Sequence, residues 1–288
     1  MKEWSFAGKD GAELFAREWQ PKLEDGSDVR AVLCLVHGMG EYSGRYDAFA
    51  RSLAAGGIAS IAYDQRGHGR TAGPRGHADG MDQLAEDAAA AVREAAKLYP
   101  GAPLFLYGHS MGGGVALHAA LTVPLPVNGL ILSSPWLSLV APPPRIAEAA
   151  VGLLAKLWPT FSQPTGIKQE DLFRPGAQAG ACSVMDEYCH KRITAKMYRS
   201  ISTSGEKSIL RAKDLAFPVL LVHGTSDRIT SFAASERLAD AIGSNCTFAP
   251  QEGGYHELHH DLEREALMNR LKMWIYANLD CKKSPPVL

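Results

Sequence analysis

The chain has 288 residues with 46% hydrophobic and 21% charged side chains, ample for a full core in one large domain or two small ones. A formal charge of -1 gives no electrostatic reason to expect a nucleic-acid partner, and no uninterrupted apolar run is long enough to span a bilayer. The start, Met1-Lys2-Glu3-Trp4-Ser5-Phe6, lacks a signal-peptide core, and the five cysteines are odd in number with no C-x-x-C, so a reducing cytoplasm is the expected compartment.

Trp4 to Trp19 reads as a hairpin turning at Lys9-Asp10-Gly11. An alternation follows. Ala31–His37, Ile58–Asp64, Leu104–Tyr107, Val127–Ser133, Val219–His223 and Cys246–Ala249 predict strands. Arg45–Ala55, Met81–Tyr99, Met111–Val123, Ser231–Ile242 and Asp261–Leu279 predict helices between and after them. Continuous apolar strands separated by helices argue for the α/β class, with a mostly parallel sheet covered on both faces.

Between Trp136 and Leu215 the alternation breaks. Pro142-Pro143-Pro144 opens the segment, an amphipathic helix runs through Ile146, Ala150, Leu153, Leu154, Leu157 and Trp158, and a second helix is expected from Asp186 to Ile201. The insertion leaves the sheet where a lid over its C-terminal edge would sit. It divides the chain into core residues 1–135, a helical cap at 136–215 and core residues 216–288. A helical decoration without a catalytic role fits the same pattern. Apolar stripes at helical spacing usually face the interior, so core contact is the expected role of most residues among Leu139, Val140, Ile146, Val151, Leu153, Leu154, Leu157 and Trp158.

The chemistry is concentrated in turns after strands. Gly108-His109-Ser110-Met111-Gly112 fits a G-x-S-x-G nucleophile elbow, because an apolar run stops at glycine and a helix-compatible run begins after the serine. Gly108 and Gly112 lack the Cβ atoms that would collide across so sharp a turn. The same residues also suit a glycine-rich turn with Ser110 as N-cap. Acyl transfer by Ser110 needs an acid and a base in the chain order Ser, Asp, His. Asp227, in a turn after Val219–His223, is the candidate acid, and an ordinary turn aspartate is the alternative. His256, after Gly253-Gly254-Tyr255, is the candidate base, with His259 and His260 as nearby competitors. The backbone amides of Met39, in His37-Gly38-Met39-Gly40, and of Met111 are the candidate oxyanion hole. The turn from Asp64 to Thr71 is read as a brace for that loop, and His109 as a local packing or hydrogen-bonding residue.

His256-Glu257-Leu258-His259-His260 also satisfies H-E-x-x-H, with Asp280 as a conceivable third zinc ligand. That pattern demands one continuous helix, whereas the glycines before His256 predict a loop. No metal is therefore expected.

Together these motifs resemble the α/β-hydrolase superfamily, and more narrowly its monoacylglycerol lipase and lysophospholipase-like branch. The marks are His37-Gly38-Met39-Gly40-Glu41-Tyr42-Ser43-Gly44-Arg45-Tyr46, Asp64-Gln65-Arg66-Gly67-His68-Gly69, the elbow, His223-Gly224-Thr225-Ser226-Asp227-Arg228 and Gly254-Tyr255-His256-Glu257-Leu258-His259. The resemblance implies an eight-stranded, mostly parallel sheet with a helical cap and a cofactor-free serine hydrolase. Its substrate would be a small lipid-like acyl ester such as a monoacylglycerol. Short-chain esters, lysophospholipids and thioesters are the alternatives, and a hydrolase-like binding protein with little turnover is the non-enzymatic one. Contact between the cap and a membrane surface fits the same picture.

Overall fold

The computed structural model describes residues 1–22, 28–177 and 186–281. The strands of its main sheet are β1 (Lys2–Ala7), β2 (Glu13–Trp19), β3 (Ala31–Val36), β4 (Ile58–Tyr63), β5 (Leu104–His109), β6 (Gly129–Ser133), β9 (Val219–Gly224) and β10 (Cys246–Gln251). They lie in the order β1-β2-β4-β3-β5-β6-β9-β10. β1 and β2 form the antiparallel hairpin, β2 joins β4 antiparallel, and the other pairs are parallel. The expected α/β sheet of eight strands is therefore present.

The central strands are buried on both faces because their side chains alternate between two cores. Val32, Cys34 and Val36 of β3 enter one core, and Ala31, Leu33 and Leu35 enter the other. The first is closed by α2 (Met81–Leu98), α3 (Met111–Thr122), α5 (Ala195–Arg211) and α6 (Phe232–Ile242), and the second by α1 (Asp47–Ala54) and α7 (Arg264–Ala277). Each fully buried Leu or Ile stabilises this arrangement by about 1.5–3 kcal/mol. With both faces covered, the strand ends are left for chemistry, and the turns after β3, β5, β9 and β10 meet at one edge.

Two expectations for the insertion need correction. The second helix, α5, begins at Ala195 rather than Asp186, because the Thr194 side chain accepts from the Met197 N–H and caps it there. Before it, β8 (Arg192–Thr194) pairs antiparallel with β7 (Ser162–Pro164) in sequence that reads as irregular. The first helix, α4 (Arg145–Leu157), has no buried residue. Ile146 is 86% exposed, Leu157 74% and Trp158 60%, with Val140 and Leu153 also exposed, so core contact is not the role of most of the eight apolar residues. Leu139 and Val151 do pack against the core.

No helix among the described residues is long and apolar enough to cross a membrane. Cys34, Cys246 and Cys281 are free, whereas Cys189 is disulfide-bonded, which the cysteine spacing does not predict.

Candidate active site

Ser110 joins β5 to α3 with φ 53° and ψ -120°, a left-handed conformation that costs a non-glycine residue about 1–3 kcal/mol. Its neighbours make the turn possible. A Cβ on Gly108 would lie 2.3 Å from the Gly112 carbonyl oxygen, and one on Gly112 would lie 2.1 Å from that of Val36. The carbonyl of Ser110 accepts from the N–H groups of Gly114 and Trp136 at 3.1 and 2.8 Å. The helix–strand junction thus holds the strained residue in place.

The structure brings Ser110, His256 and Asp227 into one hydrogen-bonded chain. Ser110 Oγ lies 2.9 Å from His256 Nε2, and His256 Nδ1 lies 2.7 Å from Asp227 Oδ2. Both histidine bonds are satisfied when Nδ1–H donates to the carboxylate and Nε2 accepts the hydroxyl proton. Asp227 is held by more than His256. Its Oδ1 accepts from the N–H groups of Ile229 and Thr230, and its Oδ2 from Thr230 Oγ1 at 2.8 Å. His223, fully buried in β9, places Nε2 3.1 Å from the same oxygen, while its Nδ1 lies 2.7 Å from Ser235 Oγ. Burial alone would raise the Asp227 pKa. The charge of His256 and hydrogen bonds from His223 and His256 outweigh it, leaving the carboxyl well below the usual range. Burial works against a charged His256, yet Asp227 holds its pKa above the ordinary value, and Glu257 and Glu41 act in the same direction.

Met111 opens α3 directly after the serine, so its N–H is one of the first-turn amides without an intrahelical acceptor. Met39 lies in the turn after β3, and this loop touches the nucleophile: a Cβ on Gly38 would sit 3.2 Å from Ser110 Cβ. The turn after β4 braces it, as expected. Gln65 Nε2 donates to the His37 carbonyl at 2.6 Å, the Gln65 N–H donates to His37 Nε2, and Asp64 accepts from the Ser43 N–H at 2.8 Å. The Gly38 N–H donates to Glu41 Oε1. Glu41 Oε2 receives Arg45 Nη1 at 2.7 Å, and Arg45 spans onward to Glu257 with two bonds of 2.8 Å.

Two cavities meet at Ser110. One, of about 320 Å³, is lined by Glu41, His256 and Glu257 from the core and by Thr165, Gln169 and Leu172 from the insertion. The other, of about 270 Å³, is lined by Trp136, Leu139, Pro143, Ile193, Tyr198 and Ile229 among others. Ser110, Met39, Thr165 and Ile167 border both. His109 packs locally, its ring 4.9 Å from that of His256 and its Nδ1 3.2 Å from the Ser133 carbonyl oxygen. Burial, then the charge of His256, pushes its pKa down to about 4.

The residues of H-E-x-x-H occupy turns, and α7 starts only at Arg264. His256 faces Ser110 there. Glu257, His259 and His260 do lie close enough to share a cation, but the Glu257 carboxylate is already held at both oxygens by Arg45. Asp280 is exposed, outside that cluster.

Reasoning from sequence missed His223 and Thr230 as supports of Asp227, and Glu41, Arg45 and Glu257 as a unit. His223 stands in the quoted motif four residues before Asp227, so a search for donors around the acid would have found it. The link from Arg45 to Glu257 spans 212 positions and leaves no local signal.

The family described as "Serine aminopeptidase, S33" matches residues 27–263. A monoacylglycerol lipase of Mycolicibacterium smegmatis is 30% identical over 96% of this chain and 98% of its own length. A monoglyceride lipase of Rattus norvegicus is 29% identical over 92% and 88%. The crystal structure of Paleococcus ferrophilus monoacylglycerol lipase superposes with a TM-score of 0.81 at 29% identity, covering 92% of this chain and 99% of the other. The chain belongs to this serine aminopeptidase S33 family of α/β-hydrolases, in its monoacylglycerol lipase-like branch, and is a serine ester hydrolase.

Proposed function

We propose that the protein hydrolyses monoacylglycerols to fatty acid and glycerol through an acyl-enzyme on Ser110. The observation that carries this reading is the chain Ser110–His256–Asp227 lying where two cavities meet beneath the insertion. His256 Nε2 takes the hydroxyl proton as Ser110 Oγ bonds to the ester carbonyl carbon, and Asp227 holds the tautomer and favours the imidazolium. The Met39 and Met111 amides receive the oxyanion; one such donor typically contributes about 10²–10³ in rate. The carbon–oxygen ester bond breaks, and the alcohol leaves with the proton from His256. Water then gives a proton to the same nitrogen as its oxygen bonds to the acyl carbon; the bond to Ser110 Oγ breaks, the fatty acid leaves and His256 returns the proton to Ser110 Oγ.

Residues 136–215 act as the cap in this proposal. The chamber of Trp136, Leu139 and Ile193 suits the acyl chain, and the one bordered by Gln169 suits the alcohol. The relatives named as monoacylglycerol and monoglyceride lipases support a monoacylglycerol over the alternatives. Exposed Ile146, Leu153, Leu157 and Trp158, with Arg145 and Lys156 beside them, suit α4 to rest on a lipid surface. Leu157→Glu is then expected to weaken binding to anionic vesicles while sparing turnover of a water-soluble short ester.

The deciding experiment is fatty-acid release from a long-chain monoacylglycerol, with Ser110→Ala as matched control. Turnover lost in the variant supports the proposal. A protein that reacts with a phosphonate but releases no fatty acid keeps the serine mechanism and moves the substrate to short esters, lysophospholipids or thioesters.

A further inference from the structure

We infer that Glu257 is a positioning residue for His256. With Arg45 and Glu41 it forms a buried carboxylate–guanidinium–carboxylate clamp that ties the histidine loop to the oxyanion loop and leaves a negative charge for the imidazolium to face. The inference rests on the catalytic reading of Ser110 and His256 above.

The clamp is nearly sealed from water. Arg45 is 6% exposed, Glu41 4% and Glu257 3%. Arg45 meets Glu257 with both Nη atoms at 2.8 Å and Glu41 with Nη1 at 2.7 Å. Tyr46 OH donates to Glu41 Oε1 at 2.9 Å, and so does the Gly38 N–H, the amide next to Met39. On the other side Glu257 directly follows His256, and its own N–H donates to the Leu172 carbonyl at 2.6 Å. One guanidinium therefore sets the distance between the two loops that must converge on the ester carbonyl. The clamp also borders the same cavity as Ser110.

Stability alone does not account for it. Taking three charges out of water is costly, and apolar residues of similar volume commonly serve as well or better. Two carboxylates around one guanidinium leave an unbalanced negative charge. Burial pushes the Glu257 carboxyl up, but Arg45 holds it down to about 2, so that charge is present at neutral pH.

The groups facing His256 can be named. Asp227 and Thr230 approach from the turn after β9, Ser110 and His109 from the elbow, Glu257 and His259 from its own loop, and Glu41 from the loop after β3. Burial lowers the pKa values of His109 and His259, keeping both neutral at pH 7. Asp227 and the clamp are thus the anionic neighbours of the ring. A negative neighbour favours the protonated imidazole, so it makes His256 a stronger base as Ser110 attacks.

The test is the rate at which a fluorophosphonate labels Ser110 across pH 4.5–9, read in wild type, Glu257→Gln, Glu41→Gln and Glu257→Asp. Labelling reports serine activation whatever the natural ester is. Glu257→Gln keeps an acceptor for Arg45 but removes the charge. Its acid limb is expected to move to lower pH by roughly half to one unit, less than the 1–3 units of a direct ion pair. Its plateau rate is expected to fall about three- to tenfold. Glu41→Gln removes the same charge from the far side of Arg45 and is expected to shift the limb in the same direction. It decides the matter if Glu257→Gln does not fold. Glu257→Asp retains the charge and is expected to keep the wild-type limb. Unmoved limb and plateau in the folded glutamine variants overturn the inference. A wild type that is labelled at no pH overturns instead the catalytic reading beneath it.

Discussion

The chain Ser110–His256–Asp227, at the strand-end edge, has a look-alike among the helices that cover one face of the sheet. Ser204 of α5 places Oγ 3.0 Å from His118 Nδ1, and His118 Nε2 lies 2.7 Å from Asp82. Residue types and distances match, but the surroundings do not. The Asp227 side chain is fully buried among backbone and side-chain donors, whereas that of Asp82 is 93% exposed and screened by water. Ser110 stands at φ 53° at the head of a helix, whereas Ser204 lies inside one. Both cavities are lined by Ser110, and neither by Ser204, His118 or Asp82. The second chain ties α5 to α2 and α3. The lesson is that three groups in series do not make a hydrolase. A turn that exposes the nucleophile, a desolvated acid and room for an acyl group do.

Removing each serine breaks the comparison most sharply. Ser110→Ala is expected to lower ester turnover by roughly 10⁵–10⁶, as in triads that act as a unit, while Ser204→Ala stays within about twofold of wild type. Initial rates on a monoacylglycerol measure both. The acids come next. Asp227→Asn is expected to cost about 10⁴ in kcat with an unchanged circular dichroism spectrum, because the amide favours the wrong tautomer of His256. Asp82→Asn is expected to leave kcat alone.

Acidification acts on the active region through its buried histidines. Burial, followed by a nearby cation, holds His109 and His190 down to about 4, and burial lowers His37, His68, His259 and His260 as well. A histidine whose folded pKa is depressed is protonated first in the unfolded chain. Its contribution is therefore complete above about pH 6.5 and is lost as the pH falls toward 4. His256 has the opposite sign: its raised value stabilises the fold below about pH 6.5, and that contribution is lost as pH rises through the folded value. The six depressed groups outweigh it. Thermal melts are expected to show Tm falling steadily from pH 7 to pH 5, and a flat profile would contradict the buried, neutral cluster.

These contrasts also show what sequence could reveal. The convergence of Ser110, Asp227 and His256 and the brace at Asp64 were legible because each lies in a short turn after an apolar strand, where local spacing carries the meaning. The cap was not. Its apolar helix reads the same whether it faces a core or water, and only the fold shows Ile146 and Leu157 outside. The start of α5 depended on one capping threonine. Glu257 stands in two of the quoted patterns, but its pairing with Arg45 was not visible, since that partner lies in a distant loop. The Ser204–His118–Asp82 series left no trace at all, because three separate helices supply it.

The smallest expected effect concerns that series. Ser204→Ala removes one neutral hydrogen bond, worth about 0.5–1.5 kcal/mol net. Alanine returns about 0.5 kcal/mol in helix propensity, and water can reach His118, whose side chain is 17% exposed, to satisfy the vacated nitrogen. The remaining loss, under about 1 kcal/mol, corresponds to roughly 1–3 °C in Tm for a chain of this size. The next residue calibrates the measurement. A Cβ on Gly205 would lie 1.9 Å from the Leu137 carbonyl oxygen, so Gly205→Ala must push α5 away from the core and is expected to lower Tm several times further. If Ser204→Ala instead cut ester turnover a hundredfold with Tm unchanged, the Ser204–His118–Asp82 series would be taking part in chemistry, and burial of the acid would not be what separates it from Ser110–His256–Asp227.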